Sequence, residues 1–272
     1  MIMLLKGGRR KVLTLSYDDG VVQDKKLIEI LDKYGLKCTF NINSGLYCKE
    51  KTDPENGRLT KESAIKLYKN SNHEVAVHSY THPFLTMISP SEVVYEIAED
   101  RKNIERDYGV ITRGMAYPMG PYNDTVIDIA KKCGIVYART VKSTQTFAFP
   151  ENWLALHPTC HHNYENLMVI ARKFVDEEPH YGHSQMFYLW GHSHEFDSDN
   201  NWNVIEEFSK YMGGRDDIWY ATNIEIYDYV QAYNRLEISY DRKTVHNPSA
   251  IDVWVEEGSN KFCIKGGETI TL

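Results

Sequence analysis

Asp18 and Asp19 stand side by side at the end of an apolar run, Leu13-Thr-Leu-Ser-Tyr-Asp-Asp-Gly20. Two adjacent carboxylates repel unless a positive group separates their roles. A second pair, His78 and His82, follows another apolar run in His78-Ser-Tyr-Thr-His82. Two imidazoles and a carboxylate are the smallest set for a catalytic zinc that keeps positions open for water and substrate. Each stretch alone has a bland reading, an Asp-Asp-Gly turn or a chance pair of histidines. Together, at the ends of two strands, they point to a metal centre. Pro83 disfavours helical geometry at His82, so the spacing belongs to a strand-end turn.

Two further stretches could complete a reaction. Ala116-Tyr-Pro-Met-Gly-Pro-Tyr122 reads as a simple Pro-Gly turn. It could also aim a backbone N–H, that of Met119, at a developing oxyanion, with Tyr117 and Pro118 beside it. Leu189-Trp-Gly-His-Ser-His-Glu-Phe-Asp197 ends an apolar strand and offers His192 and His194 as proton donors.

The elements that must position these residues alternate along the chain. Strands are predicted at Val12–Leu15, Cys38–Ile42, Glu74–His78, Gly114–Tyr117, Ile135–Ala138 and Met186–Trp190, and helices at Val22–Tyr34, Thr60–Asn70, Asp124–Cys133, Tyr164–Val175, Trp202–Met212 and Ile224–Tyr233. Ser91 is expected to cap a long helix ending at Gly109. Such alternation implies parallel strands joined by right-handed crossovers, and about seven units favour a barrel over a flat sheet. In barrels the strand C-termini carry the chemistry. From Leu236 onward, short alternating runs broken by Asn247-Pro248, Gly258 and Gly266-Gly267 read as antiparallel hairpins. The expected organisation is a barrel over residues 1–235 and a small β appendage over 236–272, packed on it.

Composition narrows the partners. A net charge of −7 with no basic block argues against nucleic acid and anionic membranes. No run of about 18 apolar residues is present for a membrane span, and the first ten residues do not read as a signal peptide. Five scattered cysteines without metal spacing read as reduced thiols, and the expected location is the cytoplasm. The sequence does not decide oligomeric state.

The order Ser-Tyr-Asp-Asp-Gly, Cys-Thr-Phe-Asn-Ile, His-Ser-x-x-His, a Pro-x-Gly turn and a strand ending in His resembles the NodB-homology polysaccharide deacetylases, carbohydrate esterase family 4, over roughly residues 11–197. The resemblance implies an α/β fold, a distorted (β/α)7 barrel. It implies one divalent metal ion, commonly zinc, held by Asp19, His78 and His82, with Asp18 as base and His192 as acid. The implied activity is hydrolysis of N-acetyl groups on an amino sugar or polysaccharide.

The chain departs from the family where Ala116 replaces an arginine and Asn152, in Glu151-Asn-Trp153, replaces an aspartate. Arg139 could supply a guanidinium to Asp18 instead. Trp153, His157 and His194 remain possible site residues, and the His157–His162 stretch has no counterpart in the pattern. The rival readings are a non-catalytic carbohydrate-binding protein on the same fold, and a hydrolase of an ester-linked acetyl or a small cyclic amide.

Overall fold

The computed structural model describes residues 1–179 and 183–272. The alternation read from the sequence becomes one curled sheet of parallel strands. Its members are β2 (Lys11–Asp18), β3 (Cys38–Ile42), β4 (Glu74–Val77), β5 (Gly114–Ala116), β6 (Tyr137–Arg139), β7 (Cys160–His161), β8 (Gln185–Gly191) and β9 (Ile218–Tyr220). The order is β6-β5-β4-β3-β2-β8-β7, and β9 pairs with the first half of β2 while β3 pairs with the second. All eight residues of β2 are buried, polar Thr14 and Ser16 among them, as in a strand covered on both faces. Backbone bonds from Leu156 N to Ala138 O and from Thr140 N to Leu156 O, each 2.9 Å, carry the chain across from β6 towards β7. The result is a distorted barrel.

Helices α1 (Asp24–Lys33), α2 (Lys61–Lys69), α3 (Pro90–Tyr108), α4 (Asp124–Lys132), α5 (Leu167–Asp176), α6 (Glu195–Ser198), α7 (Trp202–Met212) and α8 (Asn223–Asn234) complete the units. Two local readings change. Ser89, not Ser91, caps α3: its hydroxyl accepts from Glu92 N while the Glu92 side chain reaches back to Ser89 N, with Pro90 in the first turn. β1, β7 and β9 were not anticipated, because strands of two or three residues are too short to announce themselves by periodicity.

The chain end forms two three-stranded antiparallel sheets. One joins β10 (Glu237–Ile238), β11 (Thr244–His246) and β14 (Thr269–Thr271). The other joins β12 (Val253–Glu257) and β13 (Asn260–Ile264) to β1 (Ile2–Leu4), so the first residues of the chain pair with the last elements. No helix among the described residues is long and apolar enough to cross a membrane.

Candidate active site

β2, β4, β6 and β8 end at the same rim, and their last residues carry the polar cluster. Asp18 is the final residue of β2 and is 2 % exposed; Asp19 turns away from the strand at φ +86°. Ser79, His82 and Met119 also take positive φ, at +64°, +60° and +59°. Among the described residues, four of the seven non-glycine residues with positive φ thus lie on this rim, each costing about 1 kcal/mol or more that surrounding contacts must offset.

His78 and His82 face one another, Nε2 to Nε2, at 3.1 Å, and His82 Nε2 lies 3.7 Å from Asp19 Oδ1. His78 Nδ1 donates to the Ala116 carbonyl at 2.9 Å, which leaves the lone pair on Nε2. An Nε2 lone pair held at that distance from a second imidazole nitrogen suits a shared cation. The donor set fits a divalent ion. Burial lowers the affinity of both rings for protons, bringing His82 down to about 4. Burial alone would raise Asp19, but His78 and Arg58 bring it down to about 2. All three groups therefore offer lone pairs at neutral pH.

Asp18 is held on both oxygens. Asn41 Nδ2 donates to Oδ1 at 2.9 Å, and Arg139 Nη2 donates to Oδ2. Arg139 is wholly buried, its guanidinium stacked 4.3 Å from the Trp190 ring centroid. Against the cost of burial, Arg139 and then His78 and His192 lower the Asp18 pKa. The guanidinium missing at Ala116 is thus supplied from the end of β6. His192 Nε2 lies 3.8 Å from Asp18 Oδ2. Burial disfavours its charged form, but Glu195 and Asp18 outweigh that and raise its pKa.

Other expected residues fall elsewhere. Tyr117 is buried, donates its hydroxyl to Leu154 O at 2.8 Å and stacks on Tyr122, so only its backbone can serve the rim. Gly120 N donates to Tyr117 O at 3.1 Å, closing the turn over Pro118 and the exposed Met119. The Met119 N–H makes no hydrogen bond among the described residues. Asn152 caps a short 3-10 turn through Leu154 N. Trp153 packs edge-on against Tyr227 in the cluster with Val12, Met186 and Trp219, at the opposite ends of the strands. His157 Nδ1 meets Thr140 Oγ1 at 2.6 Å, one residue from Arg139. The His194 ring lies 5.4 Å from that of His192 and lines a cleft of about 550 Å³ with Asp19, Arg58 and Asp197.

Sequence reasoning missed the supporting shell. Arg58 donates to the Asp19 carbonyl and to Asp19 Oδ1, the latter at 2.9 Å. Asn43 donates to Ser79 O at 2.8 Å, and Asp100 accepts the His78 N–H at 3.0 Å. These residues come from loops and a helix with no motif spacing. Glu195, inside the quoted His-Ser-His-Glu stretch, and Asn41, inside Cys-Thr-Phe-Asn-Ile, did lie in stretches that carried a signal.

A family model, polysaccharide deacetylase, matches residues 6–138. Chitin deacetylase 1 of Cryptococcus neoformans is 28 % identical over 127 residues, covering 46 % of this chain and 25 % of that protein. Protein YlxY of Bacillus subtilis is 30 % identical over 114 residues, covering 41 % and 32 %. The chain thus spans a third or less of the length of these relatives. Among solved structures, a family 4 carbohydrate esterase from Streptomyces lividans in complex with acetate superposes with a TM-score of 0.52 at 17 % identity, covering 75 % of this chain and 88 % of that one. The peptidoglycan deacetylase PdaC of Bacillus subtilis gives 0.52 at 15 %, covering 83 % and 94 %. A family 4 acetyl xylan esterase from Clostridium thermocellum, in complex with a cobalt ion, gives 0.51 at 16 %, covering 80 % and 90 %. Residues 6–138 thus match the polysaccharide deacetylase family model, and the chain folds as the carbohydrate esterases of family 4 do.

Proposed function

We propose that this protein is a metal-dependent hydrolase that removes N-acetyl groups from an amino sugar or oligosaccharide. The observation that carries the reading is the facing Nε2 pair of His78 and His82 beside Asp19, with Asp18 held on its two oxygens by Arg139 and Asn41. A divalent ion bound there would acidify water towards a pKa of ~7 and polarise an acyl oxygen. The protein's own groups supply the rest. Asp18, ionised by Arg139, accepts the proton from water. The Met119 N–H is available to a developing oxyanion. His192, whose pKa Glu195 and Asp18 raise against burial, delivers its Nε2 proton to the departing amine. Acetate and a free amino sugar result.

The polar cleft beside Asp19, rimmed by Arg58, His194 and Asp197, has room for a sugar unit next to the reacting acetyl group. All five cysteines are unpaired, in keeping with a reducing compartment. The rival of a non-catalytic binding protein drew on the Ala116 and Asn152 departures, and Arg139 against Asp18 answers the first of them.

The test is metal content by elemental analysis, wild type beside His78→Ala, with acetate release from N-acetylglucosamine oligomers on the same samples. One metal per chain that is lost in the variant together with turnover supports the reading. Full turnover in metal-free His78→Ala sinks it.

A further inference from the structure

The stretch Cys160-His-His162 has no part in the reaction just described. Neighbouring residues at a strand end ordinarily point to opposite sides, yet these two rings converge, with centroids 4.4 Å apart. His161 Nε2 and His162 Nε2 each lie 3.2 Å from Oε2 of Glu195, and His192 Nδ1 lies 3.2 Å from its Oε1. The backbone N–H of His192 also donates to Oε2, at 3.2 Å. His162 Nε2 and His192 Nδ1 stand at ion-pair distance from the carboxylate without pointing squarely at it, since one carboxylate cannot face three rings at once. The convergence is built in. His162 is buried between Tyr17 and Phe196, and a Cβ at position 191 would come within 2.1 Å of its Nδ1, so only Gly191 leaves room for the ring.

Two imidazoles and a carboxylate could be a second cation site. The protonation of His161 argues otherwise. Asn163 N donates to His161 Nδ1 at 3.1 Å, so Nδ1 carries the lone pair and the proton of the neutral ring lies on Nε2, towards Glu195. A ring that ligates through Nε2 needs the reverse arrangement, the one His78 has against Ala116 O.

We infer that Glu195 is a positioning residue for His192, and that His161 and His162 hold its carboxylate in place for that task. The inference rests on His192 being the proton donor of the proposed reaction. With Nδ1 3.2 Å from Glu195 Oε1, the His192 ring turns its Nε2 towards Asp18 and the reacting group. The other groups that face His192 are Asp18 from β2, His161 from β7 and His194 from its own loop, with Asp19 just beyond. Of the carboxylates among them, only Glu195 approaches Nδ1. The three imidazoles around Glu195 keep it ionised far below the usual range, against the cost of burial.

The test uses the zinc-loaded full chain with 15N-labelled histidine, so that long-range 1H–15N spectra report the tautomer of each ring. In the wild type, neutral His192 should be the Nδ1–H form and His161 the Nε2–H form. Glu195→Ala should give His192 a mixture of tautomers and lower kcat for acetate release about 10- to 100-fold, with KM within twofold. Glu195→Gln should restore the tautomer and part of the rate. If Glu195→Ala does not fold, His161→Gln serves, with a smaller change in the same direction. An unchanged His192 tautomer in Glu195→Ala overturns the inference, as does a second equivalent of zinc that His162→Ala removes. Wild type that releases no acetate counts against the proposed function, while the spectra still decide the role of Glu195.

Discussion

Asp18 is the residue on which most else depends, and its surroundings leave little freedom. A carboxylate 2 % exposed is tolerable because Arg139 and Asn41 occupy its two oxygens. Removing Arg139 would strand that charge, which typically costs about 3–5 kcal/mol. Arg139→Ala is therefore expected to melt far below the wild type. The double variant Asp18→Asn/Arg139→Ala should recover part of the loss, because the buried charge is gone; a double variant no more stable than the single one would refute the account. Asp18→Asn alone should keep the metal and lose about 10²- to 10⁴-fold in turnover, the usual share of a general base. Metal content and kcat measured on one preparation check both halves.

At the scale of elements, short local devices place the strand ends. The capping box of α3 satisfies two N–H groups at the helix start and aligns the helix that carries Asp100 under His78. Ser89→Ala should cost about 1 kcal/mol in denaturant unfolding and leave metal affinity within a few fold. A larger change in metal affinity would mean that the helix start, rather than its Asp100 turn, positions His78. Gly191 is less forgiving. Gly191→Ala puts a methyl group into the His162 ring, so both stability and turnover should fall, whereas a silent variant would show that the ring can step aside.

The whole molecule is tied together through groups distant in sequence. Asp24 at the start of α1 accepts from Tyr68 of α2 and from Ser193 after β8, each at 2.5 Å. Burial pushes its pKa up to about 7 despite these bonds. The folded chain then holds this proton more tightly than the unfolded one, where aspartate titrates near ~4. Its stabilisation is present below about pH 4 and is lost as pH rises through about 7. Melting temperature should accordingly fall between pH 6 and pH 8, and Asp24→Asn should lessen that slope, with Glu74 and Asp100, which burial also pushes up to about 7, supplying the rest; equal slopes in both proteins would exclude Asp24 as a source. The ends of the chain are tied as well, since Tyr229 donates to Leu4 O at 2.7 Å and accepts from Trp254 N at 2.9 Å. Truncation after residue 235 removes β12, the strand partner of β1, and should destabilise the barrel rather than release it intact. Urea unfolding of the truncated chain at the wild-type midpoint would show the reverse.

What the sequence determined by itself was whatever depends on neighbours along the chain. The period of apolar residues made the alternation of strand and helix legible, and Asp18-Asp19 and His78…His82 stood out as candidates because such side chains were gathered where strands stop. The capping residue of α3 was misread by two positions, since Ser89 and Ser91 both flank Pro90 and only backbone geometry separates them. The tertiary structure alone decided which distant groups meet. Arg139, 121 residues from Asp18, could be only a guess until parallel pairing brought β6 and β2 to one rim. Arg58, Asn43 and Asp100 carry no spacing that marks them, and His161 and His162 gain a role only where β7 lies beside β8 and meets Glu195. Local periodicity is written in the residues, but the partners of a buried charge are chosen by how strands far apart in sequence pack.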